Sequence, residues 1–269
     1  MKPETNSLAH LLARAGTLAA EAGVRAMKFY GNTTVVLKQD ASPLTLADTA
    51  SHEFLMAALP GLAPGIPVVS EESAPESAPA AGRFWLVDPL DGTKEFVKGT
   101  NEFTVNIALI EAGRPVLGVV HAPALGVTYF ASRDTGAWFQ SGGSPAVRIS
   151  TRRADTARLA VVASKDHAGP LVAAMLSRLP DAELKSMGSS LKFCLVAAGQ
   201  ADLYLRDLPT MEWDTAAAQC VVEAAGGGVY ELSGTPLAYG KPGLRNGPIM
   251  TVGDPSFSWQ NRVTGAAAA

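Results

Sequence analysis

Residues 84–96 read Phe-Trp-Leu-Val-Asp-Pro-Leu-Asp-Gly-Thr-Lys-Glu-Phe. The apolar run from Phe84 to Val87 has the character of a buried strand and ends abruptly in Asp88. Pro89 cannot donate to a sheet ladder, so the strand is expected to stop there, and Asp91-Gly92 supplies a turn. Any fold of this chain must therefore hold two carboxylates on a tight loop at the mouth of a buried strand. Burying one unpaired carboxylate is costly. Two held together repel unless a cation lies between them. Oxygen-only ligands suit a hard divalent ion such as Mg²⁺. The competing reading of this stretch by itself is an ordinary Asp-Gly turn with a capping Asp.

The rest of the chain bears on that choice. Its 269 residues are 47% hydrophobic and 17% charged, enough to bury a sizeable core in one large domain or two lobes. A net charge of −3 with no basic block argues against a nucleic-acid polymer as partner. Cys194 and Cys220 lie in apolar helical contexts and read as small buried hydrophobes, which points to a reducing, cytoplasmic compartment. Arg14, Glu21 and Arg25 interrupt the N-terminal apolar pattern, so it reads as an amphipathic helix rather than a signal peptide. No run is long and apolar enough to cross a bilayer. Peripheral membrane association and oligomeric state stay open.

Periodicity and turn residues predict a helix over roughly 7–30 and a second over 45–59, ended by Pro60-Gly61. A short strand at 67–69 leads to Glu71, a surface loop covers 74–82, and the strand 84–88 follows. Strands at 103–110, 116–120, 128–130 and 137–139 form an antiparallel meander. From about 150, strands and helices alternate: a strand at 159–163, helices at 170–179 and 191–198, a strand at 202–205, and a helix at 215–225. The expectation is an α/β layered protein, with an N-terminal α+β lobe over 1–150 and a C-terminal α/β lobe over 151–269.

Further acids share the position of Asp88 and Asp91 at element ends. Glu71 follows a strand, Asp214 opens a helix in Glu212-Trp213-Asp214-Thr215, and Asp48 lies in the first turn of the second helix. Strand ends and helix starts converge on one face of a layered α/β fold, where ligands bind. Each has a plainer reading: a solvated loop acid for Glu71, an N-cap for Asp214, a dipole-favoured first-turn acid for Asp48.

The set Glu71-Glu72, Asp88-Pro89-Leu90-Asp91-Gly92-Thr93 and Trp213-Asp214 resembles the Mg²⁺-dependent, lithium-sensitive phosphatase superfamily of inositol monophosphatase and fructose bisphosphatase. The stretches 87–96, 102–109 and 188–197 resemble more closely its CysQ-type 3′(2′),5′-bisphosphate nucleotidase branch. The resemblance covers nearly the whole chain and implies an alternating α-β-α-β-α sandwich. It implies two or three Mg²⁺ ions, held by Glu71, Asp88, the Leu90 carbonyl, Asp91 and Asp214. Asp48 and Thr93, with Glu71, would serve catalysis by orienting a water and accepting its proton. No His or Cys nucleophile is needed. Substrate contacts would come from Asp91, Gly92, Thr93, Lys94, His167, Ser189, Ser190, Lys192, Arg206 and Asp214.

The resemblance further implies hydrolysis of the 3′-phosphate of adenosine 3′,5′-bisphosphate, and of its sulfated analogue, to leave AMP and phosphate. Gly188-Ser189-Ser190-Leu191-Lys192 opens a helix, and its free N–H groups are expected to favour an anion. Lys192 adds charge at that end, and Arg206, closing the strand before Asp214, is expected to face the same cleft and grip a second phosphate. An inositol monophosphatase is the alternative within the superfamily. A haloacid-dehalogenase-type phosphatase would need Asp-x-Asp rather than Asp-x-x-Asp, and no Gly-x-x-x-x-Gly-Lys-Ser/Thr occurs for a Walker NTPase. A non-catalytic metal- or nucleotide-binding regulator is the alternative of another class.

Overall fold

The strand Thr104–Glu111 shows why the chain builds layers. Successive side chains alternate between its two faces. Val105, Ile107 and Leu109 join one apolar cluster, with Leu11, Leu12, Leu55 and Leu59. Ala108 and Ile110 join another, with Val196, Cys220 and Val221. A strand buried on both faces requires helices on both sides of its sheet.

The computed structural model describes residues 7–32, 34–38, 43–73, 77, 79, 82–155, 157–163 and 169–263. In chain order its first half gives α1 (Leu8–Met27), β1 (Val35–Leu37), β2 (Pro43–Thr45), α2 (Leu46–Leu62), β3 (Val68–Ser70), β4 (Arg83–Asp91), α3 (Thr93–Lys98), β5 (Thr104–Glu111), β6 (Arg114–Ala122), β7 (Val127–Ser132), β8 (Gly136–Ser141) and β9 (Val147–Arg148). The second half gives β10 (Ala160–Ala163), α4 (Pro170–Leu176), β11 (Glu183–Ser186), α5 (Leu191–Ala197), β12 (Leu203–Arg206), β13 (Thr210–Met211), α6 (Ala216–Ala224), β14 (Gly228–Glu231), β15 (Arg245–Asn246), β16 (Ile249–Val252) and α7 (Trp259–Val263).

Strands β3 to β9 form a seven-stranded sheet in sequence order, parallel at β3/β4 and antiparallel elsewhere. A five-stranded sheet has the order β11-β10-β12-β16-β14, with β10 parallel to both neighbours and β16 antiparallel to its own. Helices α1 and α2 cover the outer face of the first sheet. Helices α5 and α6 lie between the sheets in one continuous apolar cluster. Val172 and Met175 of α4 and Trp259 and Val263 of α7 pack on the outer face of the second sheet. The order is α-β-α-β-α, as expected. Cys194 and Cys220 are both buried and unpaired in the middle layer.

Two boundaries differ from the sequence reading. β4 does not stop at Pro89 but runs on to Asp91: Asp88 pairs with Asn106 and Asp91 with Thr104. Three steps on β4 thus oppose two on β5, a bulge whose extra residue absorbs the missing N–H of Pro89. Helix α2 continues through Pro60 to Leu62: Pro60 forgoes one helical N–H, and Ala63 N donates to Leu59 O at 3.3 Å to close the end. The β1–β2 hairpin, β9, β11, β13 to β16 and α7 carried no signal that the periodicity analysis used.

Candidate active site

Asp48 caps its own helix with one oxygen and meets Thr93 with the other. Its Oδ2 accepts from Thr45 N at 2.8 Å and Thr45 Oγ1 at 2.6 Å, a capping box at the start of α2. Its Oδ1 accepts from Thr93 Oγ1 at 3.0 Å. One turn along the same helix face, Ser51 Oγ donates to Pro89 O at 2.8 Å. Helix α2 therefore braces the acidic loop from beneath. Gly92, at φ +92°, turns the chain from β4 into α3 and brings Thr93 back over Asp48. Burial raises the Asp48 carboxyl above its ordinary range, against the hydrogen bonds from Thr45 and Thr93 that favour its charge.

The same division of labour recurs at the neighbouring acids. Asp88 Oδ1 accepts from Leu90 N at 3.0 Å. Asp214 Oδ2 accepts from Met211 N at 2.9 Å, closing a short 3₁₀ turn. Asp91 Oδ2 accepts from Ser190 N at 2.6 Å. The other oxygen of each takes no hydrogen bond from the described residues. Asp88 is 1% exposed. Burial, then repulsion from Glu71, Asp91 and Asp214, pushes its carboxyl well up. Burial and the charges of Asp91 and Glu71 push Asp214 up to about 8. Burial raises Glu71 too, against the pull of Lys38.

Lys38, on the β1–β2 hairpin, reaches Glu71 Oε1 at 2.8 Å and Glu72 Oε1 at 2.7 Å. Burial opposes its charge, but the two carboxylates outweigh that and raise its ammonium above the usual lysine range. Lys38 thus pairs with Glu71 and Glu72, and among the described residues Asp88, Asp91 and Asp214 have no ion pair. The donor set, all oxygen and in mutual repulsion, suits a hard dication. No three of these side chains form a ready-made cage among the described residues. Lys38 holds Glu71 by Oε1 alone, and Oε2 takes no hydrogen bond from the described residues. The Leu90 carbonyl accepts from Thr93 Oγ1 at 3.2 Å, and one hydroxyl proton serves either it or Asp48.

Above the acids lies a cavity of about 310 Å³. Glu71, Asp91, Gly92, Thr93, Lys94 and Asp214 line one part of it. Ser189, Ser190, Lys192, Tyr204 and Arg206 also line it. The expected site residues thus line one space, except Asp48, Asp88 and Leu90, which are buried and form no part of its wall, and His167, which lies outside the described residues. Lys192 is 6% exposed; its Nζ reaches Met187 O at 3.3 Å and sits 5.8 Å from the Tyr204 ring centroid. Burial lowers its ammonium to about 8. Arg206 Nε donates to Leu208 O at 3.1 Å.

The start of α5 is used differently from the expectation. Its N–H groups are not all free for a ligand: Gly188 N donates to Glu102 Oε2 at 2.7 Å, and Ser190 N to Asp91. A Cβ at Gly188 would lie 2.6 Å from Glu102 O, so only glycine permits this approach. The protein's own carboxylates serve as the anions there, and Lys192 and Arg206 carry the positive charge of the cavity. Sequence reasoning missed Lys38, Ser51 and the acceptor role of Glu102. It also missed Asn106, whose Nδ2 donates to Ser190 Oγ at 2.9 Å. A polar Asn inside the apolar run 103–110 was a usable signal for the last; Lys38 had none, since its hairpin was not foreseen.

The sequence model of the inositol monophosphatase family matches residues 7–260. The 3′(2′),5′-bisphosphate nucleotidase CysQ of Shigella flexneri is 49% identical over 227 residues, spanning 82% of this chain and 91% of that protein. Its namesake from Escherichia coli K12 is 48% identical over the same share of each chain. The crystal structure of CysQ from Bacteroides thetaiotaomicron, described as a bacterial member of the inositol monophosphatase family, superposes with a TM-score of 0.80. It shares 36% identity and covers 92% of this chain and 98% of its own. An inositol monophosphatase structure from Thermotoga maritima gives a TM-score of 0.76 at 26% identity, covering 94% and 96%.

Proposed function

The chain belongs to the inositol monophosphatase family, and from that premise we propose that it is a 3′(2′),5′-bisphosphate nucleotidase. It is a Mg²⁺-dependent phosphatase that takes the 3′-phosphate from adenosine 3′,5′-bisphosphate and leaves AMP and phosphate. The likeness to the curated nucleotidases over 82% of the chain supports the activity. The observation that carries the substrate is Lys192: a deeply buried ammonium in the cavity wall, with one backbone acceptor at 3.3 Å, and Arg206 beside it in the same wall. Buried charge without a carboxylate partner is costly unless an anion completes it. A second phosphate, away from the reacting one, supplies that anion and distinguishes this substrate from an inositol monophosphate.

Glu71, Asp88, Asp91, Asp214 and the Leu90 carbonyl would hold two or three Mg²⁺ ions. Bound there, Mg²⁺ would neutralise charge on the phosphate and on the departing oxygen. The rest falls to the chain. Thr93 Oγ1 accepts a hydrogen from the attacking water and passes its own proton along the 3.0 Å bond to Asp48 Oδ1. The raised carboxyl of Asp48 is the better base for it. The water oxygen bonds to phosphorus as the P–O3′ bond breaks, and the 3′ oxygen leaves to take up a proton. Residues 1–150 supply most metal ligands, and 151–269 supply Asp214 and the second phosphate site. Lys94 and Ser189 flank the bound nucleotide. No helix of the described residues is long and apolar enough to cross a membrane, and the unpaired buried cysteines suit the cytoplasm.

The test is phosphate release, with Mg²⁺, from adenosine 3′,5′-bisphosphate, its 2′,5′ isomer, the sulfated analogue and inositol 1-phosphate. A higher kcat/KM on the 3′,5′-bisphosphate than on inositol 1-phosphate is expected. The reverse order overturns the reading in favour of an inositol monophosphatase.

A further inference from the structure

Asp91 Oδ2 is crowded with donors. Ser190 supplies two of them, its backbone N at 2.6 Å and its Oγ at 2.7 Å. Thr104 Oγ1 and Asn106 Nδ2 approach the same oxygen at 3.4 Å. Ser190 Oγ also lies 2.7 Å from the Asp214 carbonyl oxygen and accepts from Asn106 Nδ2 at 2.9 Å. One hydroxyl thus touches the side chain of one acid and the backbone of another, from opposite halves of the sequence. Ser190 is 1% exposed, so this hydroxyl is spent inside the protein. Its neighbour Ser189, at φ +44°, is more exposed and is left to the cavity.

The hydrogen-bond count narrows the direction of that hydroxyl to two acceptors. Asn106 donates onto one Oγ lone pair, so the single Oγ hydrogen must point to Asp91 or to the Asp214 carbonyl. Asn106 holds this orientation although its own Oδ1 is buried without a donor. Flipping the amide would set that oxygen against Ser190 Oγ and Asp91 Oδ2, so the unsatisfied acceptor is the lesser cost. With Oδ2 saturated in this way, Asp91 has Oδ1 to offer.

We propose that Ser190 is a positioning residue for Mg²⁺: its backbone N–H and its hydroxyl grip Asp91 by Oδ2, which leaves Oδ1, bonded to none of the described residues, for the ion. The inference rests on the Mg²⁺ phosphatase reading above only in taking Asp91 as a ligand. Residues that orient ligands typically cost about 10–100-fold in metal affinity when removed.

The test is calorimetric titration of Mg²⁺ into the substrate-free protein, with melting temperature in EDTA measured alongside. Ser190→Ala should weaken Mg²⁺ binding about tenfold. Ser190→Thr, which keeps the hydroxyl, should restore most of it. If Ser190→Ala does not fold, Asn106→Ala, which removes the donor that orients the Ser190 hydroxyl and a 3.4 Å donor to Asp91 itself, should weaken binding by less than is expected of Ser190→Ala. Wild-type Mg²⁺ affinity in whichever of these two variants folds overturns the proposal, while the nucleotidase reading stands on its substrate panel. Wild-type protein that binds no Mg²⁺ overturns both.

Discussion

Lys38 Nζ donates to Glu71 Oε1 at 2.8 Å, so a lysine from the β1–β2 hairpin holds one of the acids proposed above as a metal ligand. A cation bound by Glu71 would share this carboxylate with the Lys38 ammonium and be repelled by it. Lys38→Met should therefore tighten Mg²⁺ binding to the substrate-free protein several-fold, as read by calorimetry. The same change leaves Glu71 and Glu72 without their cation. It should lower the melting temperature in EDTA by about 2–4 °C, the shift that roughly 1 kcal/mol gives in a chain of this size. Weaker Mg²⁺ binding in the variant would show that Lys38 supports the metal instead of competing with it.

Thr93 has one hydroxyl proton and two acceptors, Asp48 Oδ1 at 3.0 Å and Leu90 O at 3.2 Å. If the Asp48 bond is the working one, Thr93→Ala loses the relay but not the substrate. kcat should fall about 10²–10⁴-fold, with KM within about twofold. Thr93→Ser should recover most of the rate. A parallel loss in kcat and gain in KM would point to a hydroxyl that only shapes the turn.

Burial lowers the Lys192 ammonium to about 8. Below that pH the group is charged and attracts phosphate; above it the charge is lost. KM for adenosine 3′,5′-bisphosphate should rise as pH passes through about 8, while KM for inositol 1-phosphate stays flat. Lys192→Met should raise the bisphosphate KM and remove its pH dependence. Arg206→Ala should cut kcat/KM on the bisphosphate about 10–100-fold, the worth of a charged hydrogen bond, and barely touch inositol 1-phosphate. A pH-independent wild-type KM would remove Lys192 from the phosphate site.

The buried acids make the metal-free protein sensitive to pH in a definite direction. Burial, with mutual repulsion, raises Asp88, Glu71 and Asp214, the last to about 8. A carboxyl raised in the folded state binds its proton more tightly there than when unfolded. Its stabilising contribution is complete below about 4 and is lost as pH rises through about 8. In EDTA the melting temperature should fall between about pH 5 and pH 8, and added Mg²⁺ should raise it more at pH 8 than at pH 5. Equal Mg²⁺ shifts at the two pH values would mean that the ion does not relieve this repulsion.

Much of this was legible in the sequence because acids at element ends are local signals. Asp88, Asp91 and Asp214 could be placed from the apolar run before them or the helix after them. The α-β-α-β-α layering was implied by the resemblance, and the double-sided burial of residues 104–110 is its physical basis. What stayed hidden was non-local. Nothing near Lys38 announces a partner 33 residues away, and nothing near Glu102 announces the Gly188 amide. Pro89 misled because a bulge can absorb a missing donor without ending the strand. The start of α5 misled because an anion-ready helix end can be satisfied by the protein's own carboxylates. Ser189 and Ser190 look alike in sequence, and a positive φ at the first is what separates them.

Asp48, Asp88, Asp91 and Asp214 each commit one oxygen to the fold and leave the other for chemistry. Such positions are closed to drift from two directions, since a replacement must serve a backbone or hydroxyl donor and a cation or proton at once. Lys192 and Arg206 each spend one donor on a backbone carbonyl, Met187 O and Leu208 O, and keep the others for the cavity, to which one helix and one strand present them. New specificities in this architecture should therefore arise by exchange along α5 and β12, with the acidic half inherited unchanged. A library confined to those two elements should retain Mg²⁺-dependent hydrolysis while its preferred alcohol changes.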